Sequence, residues 1–198
     1  ESVNVLNLNT DFFGYLKGGH SFSYGLEWTH NKINSEAYAI DLELDFERIT
    51  GFSNRRPIPT RYPDNGSSAY SFAVYLNWIY ELNEMTSLNA GLRFTSSSLK
   101  GAWNKISSVD KLLSSVELDS EALTYTLAVT YRPDKKLQIN GLFSSGFRNP
   151  NIDDIGKIRE SKENLIVPNP FLYPEYAYNF EIGITHYLPK AKNNLIII

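Results

Sequence analysis

Apolar and polar residues alternate with a period of two along most of this chain, and that rhythm restricts the fold more than any other feature. The clearest stretch sets Leu123, Tyr125, Leu127, Val129 and Tyr131 against Thr124, Thr126, Ala128 and Thr130. Successive side chains of a β-strand point to opposite faces of a sheet, so such a run is a strand with one apolar and one polar face.

Other stretches repeat the pattern. Leu6, Leu8, Phe12 and Leu16 share a parity opposite Asn7, Asn9 and Asp11, and Phe22, Tyr24, Leu26, Trp28 and His30 oppose Ser23, Gly25, Glu27 and Thr29. Tyr70 to Tyr80, Leu88 to Phe94, Leu137 to Phe143 and Tyr176 to Ile184 alternate likewise, and Leu195 opens a further apolar run. The expectation is an all-β antiparallel sheet of about eight strands in four hairpins, the last incomplete. Both ends of the chain fall in or beside strand-like runs and read as cuts from something longer.

Connection lengths say which kind of sheet this is. Short turns near residues 17, 83, 134 and 191 alternate with long connections at about 34–66, 99–119 and 148–173. Outer-membrane β-barrels pair short periplasmic turns with long extracellular loops. A soluble β-sandwich or lipocalin-like barrel also has short amphipathic strands but accounts poorly for this asymmetry.

Composition agrees with a membrane wall. The 13 Tyr, 11 Phe and 3 Trp are rich in residues that suit a half-apolar, half-wet interface, and Tyr80, Tyr131, Tyr176 and Tyr187 stand near strand ends, where an interfacial girdle belongs. Mean hydropathy is -0.31, and no stretch approaches the roughly 18 apolar residues that a spanning helix needs. The net charge of -3, with scattered Lys and Arg, gives no footprint for nucleic acid. The absence of Cys removes disulfides and thiolate metal sites.

One block carries a family signature. The chain reads SSGFRNPNIDDIGKI and later VPNPFLYPEYAYNFEIGI. Pro150 favours an extended Asn149, and Asn151 is placed to cap a short helix with Asp153 and Asp154 in its first turn and Ile152, Ile155 and Ile158 on its buried side. Strand parity puts Arg148 and Glu175 on the polar face of neighbouring strands, where an ion pair would fix how the long connection leaves and re-enters the wall.

This block resembles the TonB-dependent receptor family of Gram-negative outer membranes. In that family a strand ends in Gly-Phe-Arg, a small residue, Pro and Asn, and the next opens with Asn-Pro, Leu, Pro-Glu and later Glu-Leu-Gly. Gly146, Phe147, Arg148, Pro150 and Asn151 match the first part, and Asn169, Pro170, Leu172, Pro174, Glu175, Glu181 and Gly183 the second, with Ile182 in place of Leu. The resemblance implies a barrel of about 22 strands around an N-terminal plug. It further implies uptake of a scarce nutrient such as a ferric siderophore or cobalamin, with energy relayed by TonB through a plug that is absent here. The expected partners are outer-membrane lipid, the TonB complex through that plug, and a metal chelate or other nutrient ligand.

The remaining candidates are weaker. Asp41, Glu43, Asp45 and Glu47 alternate with Leu42, Leu44 and Phe46 and would gather four carboxylates on one extended face; a solvated acidic face on a hairpin extension, or a short helix, is the plainer reading than a cation site. Arg55, Arg56 and Arg61 are ligand-binding candidates for an anionic chelate, or for lipopolysaccharide phosphate. Ser107 and Asp110 have capping-box-like spacing ahead of Leu112 and Leu113. His20, His30 and His186 are isolated, and no nucleophile–base pair, phosphate loop, metal set or cofactor motif emerges, so no enzyme is expected. The alternative function is a stand-alone eight-stranded barrel acting as a small-ligand binding protein or adhesin.

Overall fold

The computed structural model describes residues 1–58, 60, 62–103, 115–156, 159–161, 164–166, 169, 171–187 and 195–197. In chain order the strands are β1 (Ser2–Leu16), β2 (His20–Asn34), β3 (Ala37–Asp45), β4 (Arg48–Ile58), β5 (Ser67–Glu81), β6 (Thr86–Ala102), β7 (Ser115–Tyr131) and β8 (Leu137–Arg148). A short helix α1 (Ile152–Gly156), then β9 (Arg159–Ser161), β10 (Asn164–Ile166), β11 (Glu175–His186) and β12 (Leu195–Ile197) follow.

Eight strands form one antiparallel sheet in the order β1-β2-β5-β6-β7-β8-β11-β12, so each neighbours the next along the chain once the side hairpins β3–β4 and β9–β10 are set apart. Among the described residues β1 and β12 lie at opposite edges of this sheet. It is an open stretch of barrel wall rather than a closed eight-stranded barrel.

Local chemistry explains the tight turns. Gly18 and Gly19 both have positive φ, 86° and 80°, a region glycine enters without steric cost. Asp134 caps the turn before β8 by accepting from the amides of Lys136 (2.6 Å) and Leu137 (3.0 Å). Asn83 accepts from Met85 N at 2.9 Å in the β5–β6 turn. The turn expected near 191 lies outside the described residues.

The two faces of the sheet differ as the alternation requires, but they exchange character partway up. The outward row Leu26, Val74, Phe94 and Leu123, in register across β2, β5, β6 and β7, is apolar. Two rows nearer the long connections, His30, Tyr70, Ser98 and Asp119 are in register, and next come Lys32, Ser68, Lys100 and Glu117. At that height the inward face turns apolar instead, through Ile33, Ala69, Leu99, Leu118 and Val116. The outward apolar run on β7, Leu123 to Tyr131, spans about 20 Å of membrane height once strand rise and barrel tilt are combined, most of the apolar band of such a wall.

Stacked rings mark the two limits of the band. His20 stacks on Tyr80 at 4.2 Å and on Trp78 at 5.8 Å near the short turns, and His30 stacks on Tyr70 at 4.2 Å near the long connections. Leu26, Leu92 and Leu127 between these limits are 46%, 51% and 58% exposed, the surface a bilayer must cover.

The connection at 34–66 is largely the hairpin β3–β4, the extension above the wall that the sequence allows. The second is narrower than 99–119, because β6 runs on through Ser96–Ser98 to Ala102 and β7 begins at Ser115.

Candidate functional site

The inward face near the long connections carries residues of the sequence motif. Here the segment after β8 folds back against the wall. Asn151 and Asp154 cap α1 reciprocally: Asp154 N donates to Asn151 Oδ1 and Asn151 N to Asp154 Oδ2, both at 3.0 Å. Ile155 is fully buried and Ile152 nearly so, packed with Leu99, Trp103 and Val116. The apolar inward residues of β6 and β7 thus have their partner, a helix seated inside the wall. Ile158 lies outside the described residues.

Arg148 stands directly opposite Glu175 in the β8–β11 register. Its guanidinium donates to Asp154 Oδ2 at 2.8 Å and lies 3.6 Å from Glu175 Oε2, tying α1 to both strands. Phe147 and Tyr176, on the opposite parity, face outward with ring centroids 6.4 Å apart. Gly146 has open space where a Cβ would stand. Asn169 Oδ1 accepts from Phe171 N at 3.0 Å, turning the chain toward β11, and Pro174 is half-buried just before it. Glu181 accepts from Asn179 Nδ2 lower on β11. Pro170 lies outside the described residues.

Beside α1 the wall lines a half-open cavity of about 380 Å³. Its floor is a row of four hydroxyls in register, Thr29, Ser71, Ser97 and Ser120, on β2, β5, β6 and β7. Ser97 and Ser120 hydroxyls are 2.8 Å apart, and Asn149 Nδ2 donates to Ser97 Oγ. Asn149, Pro150, Asn151 and Ile152 close one side, so the motif segment is also a cavity wall.

Deeper on the same face, Tyr75 lies over Gly25 and donates its hydroxyl to Asp11, while Arg93 pairs with Glu27 and donates to Thr95 Oγ1 at 3.3 Å. The Arg93 guanidinium is 6.0 Å from the centre of the Tyr75 ring. Sequence parity put Asp11, Glu27 and Arg93 on the polar face; the pairing itself needs the register, because it joins strands that are not neighbours.

The loop arginines stand apart from this site. Arg56 pairs with Asp41 at 3.1 Å, and Arg55 lies 3.8 Å over the Tyr38 ring, both on the β3–β4 hairpin. Arg61 and the Ser107–Leu113 stretch lie outside the described residues. The acidic alternation falls on β3, the hairpin extension that was the plainer reading, with Asn54 donating to Asp41 at 3.1 Å. Among the described residues no three metal-ligating side chains converge.

Comparison with known proteins places this geometry. The model of the family "TonB dependent receptor-like, beta-barrel" matches residues 2–195. A 62-residue stretch, 31% of this chain, is 36% identical to "Probable hemoglobin and hemoglobin-haptoglobin-binding protein 4" of Haemophilus influenzae, of which it covers 6%. The Serratia marcescens hemophore receptor HasR, solved with its hemophore and heme, superposes with a TM-score of 0.65 at 20% identity, over 96% of this chain and 30% of that one. The siderophore receptor PiuA of Acinetobacter baumannii gives 0.68 at 17% identity, over 94% and 30%. The copper transporter OprC gives 0.71 at 11%, over 95% and 28%. This chain therefore spans less than a third of the solved receptors it matches.

Proposed function

Because the chain belongs to the TonB dependent receptor-like β-barrel family, we propose that it forms about a third of the wall of a receptor that imports an iron-bearing nutrient, heme or a ferric siderophore. The family consists of outer-membrane transport proteins of Gram-negative bacteria rather than enzymes, and this chain is a piece of that outer-membrane barrel. Two of the named relatives handle heme or hemoglobin and one a siderophore, which supports iron as the cargo. Cobalamin has no support among them and is not carried forward.

The observation that carries the reading is the division of one sheet into a lipid-ready outer face and a charged inner face. A wall with Glu27, Arg93, Tyr75 and Asp11 on its inside and Leu26, Leu92 and Leu127 on its outside encloses a wet interior. In this reading residues 1–198 are one partial barrel domain, the connections 34–66, 99–119 and 148–173 face the cell exterior, and TonB acts through a plug outside this chain. Arg148, Glu175 and the surrounding motif then serve assembly of the rim, and Arg55, Arg56 and Arg61 remain candidates for contact with an anionic chelate.

Growth under iron limitation tests it. A strain lacking the complete gene is supplied in turn with heme, ferric siderophores, a copper source and free iron salts. Loss of growth on one iron chelate, restored by the gene, is the expected result. Unchanged uptake of every iron source would overturn the reading.

A further inference from the structure

Lys32, Ser68, Lys100 and Glu117 stand in register across β2, β5, β6 and β7 and point outward, the next row above His30, Tyr70, Ser98 and Asp119. The His30–Tyr70 ring stack marks the edge of the lipid band. Two residues of strand rise, tilted as in a barrel wall, lift the lysine row about 5 Å above that edge. The polar headgroup layer on each side of a bilayer is roughly 5–8 Å thick, so this row stands inside it.

We infer that Lys32 and Lys100 together hold a phosphate of an outer-leaflet lipopolysaccharide molecule. Only the wall's place in the outer membrane is needed for this, whatever cargo the receptor carries. One strand separates the two lysines, so their Cα atoms lie roughly 10 Å apart, a gap that two flexible side chains close around one phosphate. Between them the wall forms a half-open basin of about 400 Å³, lined also by Asn34 and Ser68, whose amide and hydroxyl donate to phosphate oxygens. The Asn65–Gly66 turn bounds it on the side of the long connections, tied to the end of β6 by Asn65 N to Ala102 O and Ala102 N to Gly66 O, both 3.0 Å. Glu117 alone among the lining residues is acidic, and it is paired with Lys100. An ammonium has three donors, so the pair steadies Lys100 and leaves donors over for a phosphate. Lys32 stands three strands from Glu117, about 14 Å, and makes no ion pair among the described residues. Lower on the same strands Leu26, Val74 and Phe94 face the acyl chains. A lipid meets both the lysines and this apolar row, whereas a free phosphate ion meets only the lysines.

The test titrates the full-length receptor in detergent with phosphorylated lipid A, with the same lipid stripped of its phosphates, and with inorganic phosphate. Saturable binding of phosphorylated lipid A, at least about tenfold tighter than the stripped lipid and not displaced by millimolar inorganic phosphate, is expected. Lys32→Gln and Lys100→Gln together should lower the phosphorylated lipid to the level of the stripped one. Lys17→Gln, in the turn at the other end of β2, should leave the preference intact. All three lysines are exposed, so the variants should keep their far-UV circular dichroism and heat-modifiable migration. Equal affinity for the two lipids, binding untouched by the double variant, an equal loss in Lys17→Gln, or displacement by inorganic phosphate would each overturn the inference. So would loss of binding on adding EDTA, which would assign the contact to a divalent bridge from the carboxylates of β7. Growth on iron chelates is scored separately and tests only the cargo.

Discussion

Glu27 and Arg93 form an ion pair although a whole strand separates them. Arg93, on β6, reaches over β5 to Glu27 on β2, passing beside Ala73, which is fully buried. A larger side chain at position 73 would stand in the way. The Ala73→Leu change should destabilise the barrel by about 1–3 kcal/mol through overpacking. Glu27→Gln and Arg93→Gln should couple by only about 0.5–1 kcal/mol in a double-mutant cycle, since both side chains are more than a third exposed. Urea titration of the full receptor into lipid vesicles measures both, and a coupling near zero would reduce the pair to a coincidence of packing.

Gly25 is what lets Tyr75 lie flat toward Asp11. A Cβ at that position would stand 2.5 Å from the Tyr75 hydroxyl and press on the carbonyl of Thr10. Gly25→Val should therefore break the Tyr75–Asp11 hydrogen bond and lower stability by about 1–3 kcal/mol. Adding Tyr75→Ala should restore only part of that loss, because the Thr10 carbonyl is backbone and stays in place. Full rescue by the double variant would show that Thr10 gives way freely.

The exchange of faces along β7 predicts where lipid stops. Leu127 points outward in the apolar band, while Asp119 points the same way eight residues nearer the long connection. Leu127→Lys should cost about 2–4 kcal/mol of folding free energy in vesicles, and Asp119→Lys close to nothing. Equal penalties would place the membrane boundary elsewhere.

That same exchange explains what the sequence hid. Strand faces and short turns were legible because period two and turn chemistry are local. The alternation breaks at Ser96–Ser98 because the apolar parity switches there, from Phe94 pointing out to Leu99 pointing in. Val116 and Leu118 precede Leu123 with the same change of phase, so no single apolar parity runs through the start of β7. A reader expecting one apolar face per strand sees a break, whereas two solvents, lipid below and water above, require an inversion. At the rim, the motif residues were identifiable one by one, and Asp153 and Asp154 were placed in the first helical turn. Folding then brought Asp154 to Arg148, and Asn149 to Ser97, a contact 52 residues apart that no local pattern announces.

Arg148 links three elements, so its charge should matter more for the order of the rim than for the strands. Arg148→Glu would set a third carboxylate against Asp154 and Glu175, whose present contacts with it are 2.8 Å and 3.6 Å. Each exposed pair is worth only about 0–1 kcal/mol, so the barrel should still assemble. The helix has only five residues and is held by its cap, by Ile152 and Ile155, and by this cation. Losing the cation should speed hydrogen exchange across Asn151–Gly156 by about tenfold, roughly 1.4 kcal/mol of local opening, while amides in mid-β8 keep their protection. Arg148→Lys should fall between, since an ammonium provides point charge without the planar fork that serves two carboxylates at once. Faster exchange throughout β8 and β11 would mean that the residue holds the strands themselves, and unchanged exchange in both places would mean that capping and burial suffice for α1.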